Sequence, residues 1–265
     1  MDEQTRLKPY KKEFDISYTL GVFPTLELIA ARPEAVERFV LSPRGEKNEG
    51  IIKILNFAEK SGIPALFEPK TLVRISSKDN CFAAGVFKKY ICKLRADANH
   101  LVLVNPSDMG NLGTILRTAA AFGVEDVAII SPAADIYDPK VIRASMGAIF
   151  RVNFFYFDTF KAYINSVTEA HNNHNREKTR ALIPFMLEGQ PIWQTAEAYR
   201  HRSDNGREPF SLIFGNEASG LPAEFLSVGS PVRIVHTDAV DSLNLPMAVG
   251  IGLYTFTDMN KGEYH

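Results

Sequence analysis

Apolar residues recur along this chain in two registers, and the change from one to the other marks its elements. In 50–60 (GIIKILNFAEK) they fall at positions 51, 54, 55 and 58, the spacing of one helix face. Ser61 and Gly62 follow as a stop signal, and the short apolar run at 63–67 predicts a strand. Upstream, 35–41 (AVERFVL) reads as a helical turn leading into a strand. Downstream, 82–86 (FAAGV) predicts another strand, followed by the basic stretch KKYICKLR.

From residue 101 the pattern changes. The run 101–104 (LVLV) is apolar without a break, as in a parallel strand buried on both faces. A glycine-bearing loop, a helix from about 112 to 122 and a strand at 127–130 complete a βαβ unit. Further strands are predicted at 154–157, 212–214 and 232–235, while 169–180 and 198–208 are polar and read as surface loops or helix ends. The last element, 245–256, has apolar residues at 245, 248, 249, 252, 253 and 256, an amphipathic helix with Asn244 as its N-cap and Pro246 in its first turn. The expected fold class is α/β. Residues 1–96 form a small α/β domain, and 97–265 form a catalytic α/β domain built on a parallel sheet.

Composition narrows the class. The 265 residues are 45% hydrophobic and 23% charged, which suits a packed globular core and excludes disorder as the main state. The longest apolar runs are too short to span a bilayer, and the opening MDEQTRLKPYKKEF is charged where a secretory signal needs an apolar stretch. Cys81 and Cys92 lack companion metal-ligand spacing and read as free thiols of a reducing cytosol, so a cytoplasmic protein is expected. The net charge of −1 is unevenly spread. Residues 1–96 carry 17 Lys/Arg against 12 Asp/Glu, a balance of +5, and the remainder 13 against 19, a balance of −6. A basic front module could meet phosphate.

Several nucleotide-binding and hydrolytic signatures are missing. The stretch 110–114 (GNLGT) is not G-x-G-x-x-G, and the chain has no P-loop, H-E-x-x-H, C-x-x-C or G-x-S-x-G. His171, His174 and His201 sit in polar stretches and read as solvated rather than metal-binding, so no metal is expected. His236, Asp238 and Ser242 are triad residue types but lie too close along the chain and lack a nucleophile elbow. Three blocks remain, at 105–124, 212–221 and 241–250. Each sets polar residues beside glycines just after a predicted strand, where open α/β sheets bind ligands.

These blocks resemble, in order, the three signature motifs of the SpoU/TrmH family of RNA 2′-O-ribose methyltransferases, part of the SPOUT superfamily. Asn111 to Arg117 is similar to the family's N-x-G-x-x-x-R core. FGNE at 214–217 with Gly220 and Leu221 resembles the second motif, and Ser242-Leu243-Asn244 resembles the third. The stretch 140–147 (KVIRASMG) resembles one that members carry between the first two motifs, and the likeness covers about 100–256. It implies a parallel-sheet methyltransferase domain tied in a deep trefoil knot, a homodimer, and S-adenosylmethionine bound within the knot. The first block departs from the family: NPSDMG at 105–110 is longer than the usual lead into Asn111.

The resemblance assigns catalytic roles to Asn111, Arg117, Glu217, Ser242 and Asn244. A guanidinium whose pKa exceeds about 12 is a poor base, so Arg117 is expected to stabilise a developing alkoxide or hold the adjacent phosphate. Asn111 would position Arg117 or the ribose, or simply cap its helix. Glu217 would orient Arg117 or accept from the substrate, or be a solvated turn carboxylate. Ser242 and Asn244 would cap the last helix, serve the substrate, or both. Gly215, Ile234 and Leu243 match the family's cofactor contacts, Gly215 by allowing close approach of a ligand and Ile234 with strand core as its other reading.

The front domain resembles the small L30e-like RNA-binding module found before many SpoU catalytic domains, through its element order and the segment FAAGVFKKY. Lys88, Lys89, Lys93 and Arg95, with Lys8, Lys11 and Lys12, are its candidate phosphate contacts, the kind that position RNA without reading sequence. The expected activity is methyl transfer from S-adenosylmethionine to a ribose 2′-hydroxyl of structured RNA, ribosomal RNA before transfer RNA. A non-catalytic RNA-binding or assembly factor of the same fold is the rival reading.

Overall fold

The computed structural model describes residues 6–76, 80–173, 180–201 and 208–257. In chain order the first elements are β1 (Ile16–Leu20), α1 (Val22–Ala31), β2 (Val36–Leu41), α2 (Glu49–Ser61), β3 (Ala65–Phe67), α3 (Pro69–Ser76) and β4 (Ala83–Lys88). Then come β5 (His100–Val104), α4 (Met109–Ala121), β6 (Asp126–Ile130), α5 (Pro139–Ala144), β7 (Asn153–Phe157) and α6 (Phe160–Asn173). The last are β8 (Ala181–Pro191), α7 (Ile192–His201), β9 (Phe210–Phe214), β10 (Val232–Arg233) and α8 (Leu245–Phe256). Among the described residues no helix is long and apolar enough to cross a membrane.

The chain forms two compact units, one of 1–90 with 135–151 and one of 91–134 with 152–265. This differs from a boundary at 96/97 in two ways, both with local causes. Residues 91–99 are bound to the second unit: the Arg95 amide and guanidinium donate to Asp126, and Arg180 donates to the carbonyls of Ala96 and Ala98 at 2.7 and 2.9 Å. Conversely 135–151, which includes the KVIRASMG stretch, packs with the first unit. Ser17 donates to the carbonyl of Tyr137 at 2.5 Å, the Tyr137 hydroxyl accepts from the Tyr90 amide, and Arg151 pairs with Glu27 at 2.6 Å.

The first unit has a four-stranded sheet in the order β1-β4-β2-β3, antiparallel except for the β2–β3 pair. Asn48 caps α2 through the Gly50 and Ile51 amides, and Gly62 ends it in the left-handed conformation at φ 66°, as the stop signal implied.

The second unit has a wholly parallel six-stranded sheet in the order β10-β8-β9-β5-β6-β7. Every residue of β5, β6 and β9 is buried, which explains why those strands read as unbroken apolar runs. The polar exceptions His100, Asp126 and Ser211 stand at or next to the strand starts and are paired. His100 Nε2 donates to the Arg95 carbonyl at 2.8 Å, and its Nδ1 is bonded to the Tyr163 hydroxyl at 2.9 Å. The Tyr163 hydroxyl is in turn bonded to that of Ser211 at 2.6 Å, and Ser211 accepts from Arg180 at 3.3 Å. This network holds the imidazole at the edge of the sheet away from the loops that follow the strands.

β8 had no counterpart in the apolar pattern, because Pro184, Gly189 and Pro191 interrupt it. β10 is shorter than the predicted 232–235. Where β10 meets β8 the backbones nearly touch: a Cβ on Gly189 would lie 2.5 Å from the Val232 carbonyl carbon. Helix α8 spans the predicted residues and packs against α4, α7 and β9.

Candidate active site

The loop after β5 starts at Asn105, held at φ 54° by its amide's bond to the Ile130 carbonyl. Asp108 then caps α4 by accepting from the Asn111 amide at 2.7 Å. The extra residues ahead of Asn111 therefore start the helix about a turn earlier than the apolar pattern indicated. Asn111 lies inside the first turn and is not the cap. Arg117 sits farther along α4, exposed.

The loop after β9 is a tight reversal closed by paired Asn216–Gly220 backbone bonds of 3.2 and 3.0 Å. Gly215 is a glycine because of this loop. A Cβ there would overlap the backbone of Gly220 and Leu221, so the chain itself approaches closely at this position. The Asn216 side chain accepts from the Ala218 and Ser219 amides and donates to the Asn105 carbonyl at 2.8 Å.

Glu217 joins the two loops. Its carboxylate accepts from the Ser107 amide (3.3 Å) and hydroxyl (3.0 Å), the Asp108 amide (3.1 Å), Asn111 Nδ2 (3.5 Å) and Asn216 Nδ2 (3.2 Å). Partial burial pushes its pKa up, but bonds from its own amide, the Asp108 and Ser107 amides and the Ser107 hydroxyl outweigh that and leave it below the ordinary value. Arg117 is not among these partners; Glu217 meets the start of α4.

A cleft of about 410 Å³ opens at the carboxyl ends of β8, β9 and β10, within the size range of small-molecule sites. Gly215, Glu217, Ile234, Ser242 and Leu243 all line it; Asn111, Arg117 and Asn244 do not. Asn244 occupies the N-cap position of α8, where its carbonyl accepts from the Met247 and Ala248 amides, but its side chain makes no capping bond. The opposite wall is the middle of β8, Phe185 to Glu188, with Phe185 stacked on Phe214 at a centroid distance of 4.1 Å. Sequence reading missed this wall entirely. Its only local signal is an apolar triplet ahead of Glu188 and Gly189, which no periodicity test distinguishes from core. His236 also lines the cleft, its Nδ1 3.0 Å from the Thr237 carbonyl.

The candidate phosphate contacts divide. Arg95 is committed to Asp126 and Glu125, and so serves to anchor β6. Lys89 donates to the Lys12 carbonyl at 2.8 Å and lies over the rings of Tyr10 and Tyr137. Burial lowers its pKa against the pull of Asp135, Asp15 and Glu13. Lys88 pairs with Glu37 at 3.8 Å. Lys8, Lys11, Lys12 and Lys93 are exposed. His174 lies outside the described residues, as do the side chains of His171 and His201. Among the described residues no group of three His, Cys, Asp or Glu side chains could hold a metal.

Comparison with known proteins follows the same lines. Residues 98–254 match the profile of the SpoU rRNA Methylase family. The chain is 32% identical over 155 residues to an uncharacterized tRNA/rRNA methyltransferase of Synechocystis, covering 58% of this chain and 51% of that one. It is 29% identical over 189 residues to human mitochondrial rRNA methyltransferase 3, covering 58% and 45%. The chain thus spans about half the length of the curated relatives it matches. Among solved structures it resembles the SpoU methyltransferase AviRb of Streptomyces viridochromogenes, with a TM-score of 0.75 at 20% identity over 91% of this chain and 88% of that one. It also resembles an AdoMet-bound rRNA methyltransferase of Sinorhizobium meliloti, with a TM-score of 0.68 at 23% identity over 91% and 87%. At these identities the structural likeness is one of fold.

Proposed function

The chain belongs to the SpoU rRNA methylase family, and from that premise we propose that it transfers the methyl group of S-adenosylmethionine to a ribose 2′-hydroxyl of ribosomal RNA. The observation that carries this reading is the cleft: the second and third blocks, with the end of β10 between them, bring Gly215, Ile234 and Leu243 to one cavity beside Glu217 and Ser242. The donor set fits the cofactor. Apolar walls from Phe185, Ile234, Leu243 and Ala248 suit an adenine ring, and the carboxylates of Glu188 and Asp241 suit a cation. The bound cofactor supplies a methyl group on a sulfonium, an electrophile that needs no metal.

What remains for the protein is to position the ribose and stabilise charge on its oxygen. Glu217 is a poor candidate for the base, since its carboxylate already accepts five hydrogen bonds from the chain. Arg117, exposed on α4, is the fixed positive charge for the developing alkoxide or its neighbouring phosphate. Ser242, on the rim of the cleft, is free to meet the substrate.

The finer features of the family are part of the same proposal. Threading of 234–244 into a trefoil knot is supported by the β9–β10 connection crossing β8, by the backbone contact at Gly189, and by the return of α8 against β9. A homodimer is supported by Met247 and Tyr254, apolar side chains more than half exposed on α8. The first unit, as an L30e-like module, would contribute Lys8, Lys11, Lys12 and Lys88 to phosphate; Lys93, in the second unit, is a separate candidate.

The test is transfer of labelled methyl to unmodified ribosomal and transfer RNA, followed by alkaline digestion. A 2′-O-methyl blocks cleavage at its own 3′ phosphate, so an alkali-resistant labelled dinucleotide from ribosomal RNA is the expected product. The same product from transfer RNA alone reassigns the substrate, as the tRNA/rRNA description of the Synechocystis relative allows. Label in mononucleotides means base methylation, and neither label nor cofactor binding means a non-catalytic factor.

A further inference from the structure

The lead into α4 is the part of the site in which this chain departs from the short form of its family, and the structure gives the added residues a use. Ser107 and Asp108 fill the space between β5 and Asn111. Asp108 caps the helix, while Ser107 turns both its amide and its hydroxyl onto Glu217. From the other side Asn216 donates to the Asn105 carbonyl at 2.8 Å and lies 3.2 Å from the Ser107 hydroxyl. Asn105 itself has a positive φ of 54°, a left-handed state that asparagine adopts more readily than other non-glycine residues.

We propose that Ser107 and Asn216 are positioning residues: with Glu217 they form a clasp that locks the 105–108 loop to the rim of the cofactor cleft and thereby sets the placement of α4 and Arg117. This rests on the functional reading above. The clasp joins two elements with separate tasks. Glu217 and Asn216 line the cleft, whereas Asn111 and Arg117 lie on α4, outside it. Six residues of helix, about 9 Å, separate Asn111 from Arg117, so a small tilt at the clasped end moves the guanidinium. Both carboxylate oxygens are occupied by chain donors, which is how a residue that orients differs from one that takes a proton from the substrate.

The experiment compares Ser107→Ala, Ser107→Thr and Glu217→Gln, singly and combined, in the full chain. Ser107→Ala is expected to lower kcat about tenfold, near 1.4 kcal/mol, with KM for RNA and calorimetric affinity for S-adenosylmethionine within about twofold. Ser107→Thr keeps the hydroxyl and restores kcat. In the Glu217→Gln background Ser107→Ala adds little further loss, because the hydroxyl acts through the carboxylate. Full additivity of the two losses, or a fall in cofactor affinity equal to the fall in kcat, overturns the proposal.

If wild-type protein methylates no RNA, the functional reading fails, and the clasp is judged by amide hydrogen exchange instead. Faster exchange at Ser107 and Asp108 in Glu217→Gln sustains the clasp as a structural lock; unchanged exchange overturns it.

Discussion

Replacing Gly189 with alanine tests whether the near-contact of β8 and β10 builds the cleft. The added Cβ would lie 2.5 Å from the Val232 carbonyl carbon, 2.6 Å from the Val232 nitrogen and 2.7 Å from the Pro231 carbonyl carbon. These are backbone atoms and cannot swing aside, so regaining an ordinary contact of about 3.5 Å requires the strands to separate by roughly 1 Å. The Gln190 amide bonds to the Pro231 carbonyl at 3.0 Å, and that bond does not survive a further ångström. Its loss costs about 0.5–1.5 kcal/mol, and the overpacking adds about 1–3 kcal/mol. At about 2–4 °C per kcal/mol for a unit of this size, the melting temperature should fall by roughly 3–18 °C. Because β10 leads straight into Ile234 on the cleft wall, affinity for S-adenosylmethionine should fall at least about tenfold, or 1.4 kcal/mol. Scanning calorimetry and titration calorimetry read the two effects. Gly250 is the control: a Cβ there meets only Thr118 Cγ2 at 3.8 Å, and alanine within a helix should add about 0.5–1 kcal/mol. If Gly189→Ala melts like the wild type and binds cofactor within twofold, the strand contact does not shape the cleft.

Three further outcomes are expected. Arg117→Ala should abolish methyl transfer while titration calorimetry shows cofactor binding nearly intact; joint loss of binding and folding would place Arg117 in the scaffold. Tyr163→Phe removes the hydroxyl that bonds buried His100 and Ser211, so urea unfolding should show a loss of about 1–3 kcal/mol. A change below about 0.5 kcal/mol would mean that the network is dispensable. Glu217 has a depressed pKa in the folded protein, so as pH falls the unfolded chain binds the proton first. Its stabilising contribution is complete above the ordinary carboxylate value of about 4.3 and is lost as pH drops through the folded value. Urea midpoints over that range should fall less steeply in Glu217→Gln, and parallel curves would refute the assignment.

Local pattern determined much of this protein. The βαβ unit at 100–130 and the helix at 245–256 were legible because each buries one periodic face or a whole strand, and burial leaves its mark on consecutive residues. The three glycine-bearing blocks could be singled out because loops at the ends of parallel strands need particular residue types, whereas Gly215, Glu217, Ile234, Ser242 and Leu243 were marked by the family resemblance. The tertiary structure decided what depends on partners distant in sequence. β8 carries two prolines and a glycine, and only pairing with β9 and β10 makes it a strand and a wall of the cleft. Arg95 has the sequence character of a phosphate ligand until Asp126, 31 residues away, claims it. Residues 135–151 lie between two strands of the parallel sheet yet pack with the first unit, through Tyr90, Ser17 and Glu27. Glu217 meets the loop ahead of α4 because Ser107 and Asp108, about 110 residues earlier, fold back to it. A hydrogen bond or ion pair satisfies whichever groups the fold brings together, and nothing in the neighbouring sequence records which groups those are.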